Sequence, residues 1–93
     1  MKLRPRSAVD PSFLVLVGLS GGPLHGYAIQ AAAERLTGRA MGPGTLYGVL
    51  ARLERLSLIE AIPSYTRRNP YRLTKAGEVY LSELLSAYRS VVE

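Results

Sequence analysis

The chain contains no cysteine, no tryptophan, one histidine and one phenylalanine. Without cysteine there is no disulfide framework and no thiolate zinc site. A lone His25 excludes a His-rich metal centre. It also has no evident partner for histidine-based catalysis, and no motif places a carboxylate pair. The chain therefore reads as a non-enzyme, with no cofactor and no metal expected. Long apolar runs are missing too. The longest, Phe13-Leu-Val-Leu-Val17, falls far short of the ~20 residues a membrane span needs. The first residues, Met1-Lys-Leu-Arg-Pro-Arg6, lack the apolar stretch and cleavage site of a signal peptide, so a cytoplasmic protein without a membrane partner is expected. Acidic residues are scarce, 7 Asp and Glu against 12 Lys and Arg, for a net charge of +5.

What is present is the composition of a globular chain, 47% hydrophobic and 20% charged over 93 residues. That length suits one domain with a small core, to which a second copy would add apolar burial. So much positive charge on so small a domain points to a polyanion, nucleic acid first.

Residues 1–9 read as a basic arm carrying Lys2, Arg4 and Arg6. Asp10-Pro11 is a helix start, since Asp caps free N–H groups and Pro fits the first turn. The first helix runs to about Ser20. Phe13, Leu14, Leu16, Val17 and Leu19 cover much of its circumference, so it should be buried on several sides. Gly21-Gly22-Pro23 ends it. The second helix runs from about His25 to Thr37, with Ile29, Ala32, Ala33 and Leu36 on one face and Gly38 as its stop. His25 is expected to cap or pack at its start, and Tyr27 to lie in the core. Arg39-Ala-Met41 is a link or a minimal strand.

Gly42-Pro43 opens a third helix that runs to about Leu56. Leu46, Val49, Leu50, Leu53 and Leu56 make its apolar stripe. The opposite face carries Gly44, Tyr47, Gly48, Ala51 and Arg55, flanked by Thr45 and Arg52. A merely solvated face would carry Glu and Lys. Two glycines cost helix stability, but together with the alanine they let the backbone lie close against something large. The tyrosine and arginines beside them supply stacking and charge-assisted bonds to phosphates or guanines. Thr45, Tyr47, Gly48, Ala51, Arg52 and Arg55 are the candidate contacts.

Leu58-Ile-Glu-Ala-Ile62 has a strand's composition, and Tyr71-Arg-Leu73 alternates as the returning strand. The residues between them, 63–70, are rich in turn formers and carry Arg67 and Arg68, two adjacent cations that repel unless an anion is near. Tyr71 is expected in the core. Thr74 caps a last helix of about 18 residues, ~27 Å long. Its stripe of Leu81, Leu85, Tyr88 and Val92 is too apolar for a solvated tail and suggests a dimer seam. Gly77 reads as a close-packing position.

The expected fold is mainly α with a small β-hairpin wing. Residues 1–9 form the arm, residues 10–74 a winged helix-turn-helix and residues 75–93 a dimerisation helix. In that arrangement the third helix enters the major groove while the hairpin lies along backbone or minor groove. A winged-helix protein-interaction module is the competing reading. The net charge and the basic hairpin argue against it.

Three blocks in order, Gly22-Pro-Leu-His-Gly-Tyr27, Gly42-Pro-Gly-Thr-Leu-Tyr47 and Tyr71-Arg-Leu-Thr-Lys-Ala-Gly77, resemble the PadR-type transcriptional regulators. The likeness spans about residues 12–80. It implies a winged-helix DNA-binding domain and a homodimer built through the terminal helices. It also implies repression, usually relieved by a small-molecule effector. On the matching positions it places Thr45 and Tyr47 at the start of the recognition helix, and Arg67 and Arg68 in the wing. The chain departs from the family pattern at Gly48, where proline is frequent, at Ala28, where an acid is frequent, and in a wing that has Pro70 and no glycine.

Overall fold

The computed structural model describes residues 10–65 and 68–92. The N-terminal arm expected over residues 1–9 and the wing residue Arg67 lie outside the described residues.

Helix α1 (Pro11–Leu19) starts as its residues dictate. The Ser12 N–H donates to Asp10 Oδ1 at 2.8 Å, and Pro11 occupies the first turn. Leu14, Val15, Leu16 and Leu19 are all buried. Three successive buried positions cannot share one face, so this helix is enclosed from several directions, by α2 (Gly26–Thr37), α3 (Pro43–Arg55), β2 (Tyr71–Leu73) and α4 (Lys75–Val92).

Helix α2 meets α1 through small residues. A Cβ on Gly18 would lie 3.5 Å from that of Ala32. Gly38 closes the helix in the left-handed region, φ 77°, with its N–H on the Glu34 carbonyl at 2.7 Å. Leu36, expected on the buried face, is instead 54% exposed. It lies in the last turn of α2, beyond the buried Ile29, Ala32 and Ala33. His25 also departs from expectation. It occupies the cap position with its backbone, but its side chain is exposed and makes no capping bond. A ring on one methylene does not fold back onto the N–H groups as Ser or Asp does.

The segment 39–41 forms no strand. The Gln30 side-chain amide donates to the Met41 carbonyl and holds the link against α2, while Met41 itself is buried. The third, strand-like partner is Leu24. Its N–H donates to the Tyr71 carbonyl at 3.0 Å, and the Tyr71 N–H donates back at 2.8 Å.

Helix α3 buries Leu46, Leu50 and Leu53, each at most 2% exposed. Leu56, expected in the same stripe, is 56% exposed. The helix ends one residue earlier and Ser57 turns the chain with φ 61°, so Leu56 is carried off the stripe. Strand β1 (Ile59–Ala61) then pairs antiparallel with β2, Ile59 opposite Leu73 and Ala61 opposite Tyr71. Between them Glu60 faces Arg72, bonded at 2.7 Å on the exposed side. An ion pair so open to water adds little stability. The ladder extends through the Ile62 N–H to the Pro70 carbonyl at 2.8 Å.

Thr74 caps α4. Its hydroxyl accepts from the Gly77 N–H at 3.0 Å and donates to the Ser57 carbonyl at 2.7 Å. Gly77 is packed so tightly on the entry to β1 that a Cβ would overlap the Leu58 carbonyl. Farther along, Leu81 joins the core and Tyr88 packs its ring on Phe13, centroids 5.1 Å apart. Between them Leu85 is 44% exposed, and beyond Tyr88 the helix leaves Val91 60% and Val92 68% exposed.

Candidate nucleic-acid interface

The core stripe of α3 fixes which side faces out. With Leu46, Leu50 and Leu53 buried, Gly44, Thr45, Tyr47, Gly48, Ala51, Arg52 and Arg55 are all exposed. This brings the six candidate contacts of the helix onto one surface. A Cβ built on Gly48 meets nothing within 4 Å, and the same holds at Gly44. The fold therefore gives no reason for glycine there, although a glycine inside a helix costs about 1 kcal/mol relative to alanine. Arg52 and Arg55 stand in the last turn, where a cation also suits the negative end of the helix dipole. Neither forms an ion pair with the described residues.

Tyr47 links this face to α2. It is 56% exposed, and its ring lies over Gly26, whose built Cβ would stand 3.2 Å from the Tyr47 hydroxyl. The bare Gly26 is what lets the ring lie there. Tyr27, next along, is 76% exposed rather than in the core. Ile29 takes the inward direction of that turn, and Tyr27 is left on the side of Tyr47. Tyr71 is half-buried against the core. Burial raises its pKa, with the Glu54 carboxylate and Tyr47 adding to the effect, so its phenol stays protonated at neutral pH.

The hairpin stands beside these tyrosines. Arg68 and Asn69 are exposed and border, with Tyr27, Tyr47 and Tyr71, a depression of about 250 Å³. Tyr65, near the tip, is fully exposed. Sequence reasoning missed Tyr27, Tyr65 and Asn69 as surface groups here. An aromatic residue amid the turn formers of 63–70 was the available signal for Tyr65.

The four residues of the expected dimer seam are placed differently from one another. Leu81 is only 5% exposed, packed in its own chain's core, and Tyr88 is half-covered by Phe13. Leu85 and Val92 remain open to solvent. Among the described residues no group of three or more His, Cys, Asp or Glu could hold a metal ion. No described helix is long and apolar enough to cross a membrane.

Three helices with a two-stranded wing, and a terminal helix laid back on the first, are the winged-helix architecture. Residues 15–83 match the model of the transcriptional regulator PadR-like family, and the chain belongs to that family. It is 50% identical over 72 residues to an uncharacterised 37.1 kDa transposon protein of Streptomyces fradiae, a match covering 77% of this chain and 21% of that one. It is 35% identical over 75 residues to an uncharacterised protein X of Lysinibacillus sphaericus, covering 74% of this chain and 69% of the relative. The chain thus spans about a fifth of the first relative's length. Among solved structures, a PadR family transcription regulator from hypervirulent Clostridium difficile superposes with a TM-score of 0.76. That match is at 27% identity and covers 87% of this chain and 88% of that one.

Proposed function

We propose that this chain binds duplex DNA sequence-specifically as a homodimer and represses transcription from a (pseudo)palindromic operator. In this reading α3 enters the major groove and the hairpin follows the neighbouring backbone or minor groove. One observation carries it. The outward face of α3 is stripped of side chains at Gly44 and Gly48, where the fold has room for them, and is edged by Tyr47, Arg52 and Arg55. Such a face suits close approach of a helix backbone to base edges, with cations reaching phosphates on either side. The net charge of +5 favours the same partner, and a protein acting on chromosomal DNA works in the cytoplasm. The exposed Leu85, Val91 and Val92 of α4 favour pairing of two copies. Pairing raises the effective concentration at the second half-site and multiplies affinity by ~10²–10⁴.

The test is enrichment of duplexes from a random pool by the full chain. Recovered sequences are expected to carry inverted half-sites about one helical turn, or a multiple of it, apart. Binding should fall steeply with salt, and a reporter placed behind the recovered site should be expressed less in the presence of the protein. Failure to enrich any duplex contradicts the reading.

A further inference from the structure

The depression between α3 and the hairpin has a chemistry of its own. Tyr27, Tyr47 and Tyr71 line it together with Arg68 and Asn69, with Gly26 at its edge. At about 250 Å³ it is smaller than the clefts of roughly 300–1,000 Å³ that enclose drug-sized ligands. Phenol, guanidinium and carboxamide groups are all hydrogen-bond donors at neutral pH. No carboxylate among the described residues lines it. A small, donor-rich hollow with no carboxylate in its lining suits a phosphate group, although the Glu54 carboxylate acts on Tyr71 from nearby.

Its position says which phosphate. With α3 in the major groove and the hairpin along the adjacent minor groove, the strand that divides the two grooves must pass between these elements. The depression lies there. We propose that it seats one backbone phosphate of that dividing strand, with the hydroxyls of Tyr27 and Tyr47 and the guanidinium of Arg68 as donors. This rests on the DNA-binding reading above. Gly26 is a positioning residue in this seat. A methyl group on it would stand 3.2 Å from the Tyr47 hydroxyl, closer than an ordinary contact, and would push the donor aside.

The test couples loss of a hydroxyl to loss of a charge. A duplex enriched from a random pool by the full chain is remade with each phosphate replaced in turn by a neutral methylphosphonate. Affinities are measured for the wild-type, Tyr27→Phe/Tyr47→Phe, Gly26→Ala and Tyr80→Phe proteins. Wild type is expected to lose about tenfold at one phosphate, the worth of a charge-assisted hydrogen bond. The double-phenylalanine protein should bind the unmodified duplex about tenfold more weakly. It should lose little more when that one phosphate is neutralised, and still respond to the others. Gly26→Ala should show the same selective insensitivity in weaker form, and Tyr80→Phe, on α4, should behave as wild type. Wild-type sensitivity of the double-phenylalanine protein at every phosphate overturns the seat and leaves the DNA reading standing. Failure to enrich a duplex overturns both.

Discussion

Replacing Gly48 by alanine should make the protein more stable and its DNA binding weaker. The stability half follows from the fold. Gly48 lies in the interior of α3, and a Cβ there meets nothing within 4 Å. The substitution therefore adds no clash and restores the helix preference of alanine over glycine, about 0.8–1 kcal/mol. In a domain of this size each kcal/mol moves Tm by about 4–8 °C, so a rise of several degrees is expected. Thermal unfolding at one fixed protein concentration reads it, because pairing of copies makes Tm concentration-dependent. The binding half follows from the proposed interface. A methyl group standing out from the reading face holds the backbone away from the base edges. Loss of a single good base contact is worth about 1–3 kcal/mol, roughly five- to 150-fold in affinity. Titration of the enriched duplex measures it. A protein with raised Tm and unchanged affinity would refute the claim that this face lies against DNA. A lowered Tm would refute the claim that the fold leaves room at residue 48.

Three further outcomes follow from the same account. Arg67→Ala and Arg68→Ala should each flatten the slope of log K against log salt by ~0.9, read from titrations across a salt series, and an unchanged slope would remove the hairpin from the interface. Leu85→Asp should yield a folded monomer with greatly weakened operator binding, because burial of one such side chain is worth ~1.5–3 kcal/mol. Sedimentation equilibrium beside a DNA titration checks this, and a variant that remains dimeric contradicts it. Gly77→Ala should destabilise the fold by at least the ~1–3 kcal/mol of an overpacked core, since its Cβ overlaps the Leu58 carbonyl; denaturant unfolding would show it.

The order of elements was readable because each carries its own punctuation. Asp10-Pro11 starts α1, Gly38 stops α2, Gly42-Pro43 opens α3 and Thr74 caps α4, all through local hydrogen bonds and backbone preferences. The outward face of α3 followed from the spacing of Leu46, Leu50 and Leu53 alone. What escaped depends on neighbours distant in sequence. The pairing of Leu24 with Tyr71 bridges 47 positions of chain, and no local pattern announces it. Tyr27 looked like a core residue because its type is ambiguous, and only the inward turn of Ile29 puts it outside. The contact of Tyr47 with Gly26 joins two helices whose approach no period encodes. Periodicity also says which side of a helix is apolar, not how far along it a cover extends. Hence Leu36 and Leu81, each on a correctly read apolar face, have opposite exposures.

The claim on which the rest depends is that the outward face of α3 reads DNA, and Ala51→Glu addresses it most directly. Ala51 is exposed opposite the leucine stripe, so a carboxylate there meets water in the free protein and base edges and phosphates in the complex. The measurement is titration of the enriched duplex with wild-type and Ala51→Glu proteins whose helical circular dichroism is the same. The account predicts a folded variant with no specific binding. A folded Ala51→Glu protein that binds the duplex as wild type does would contradict it.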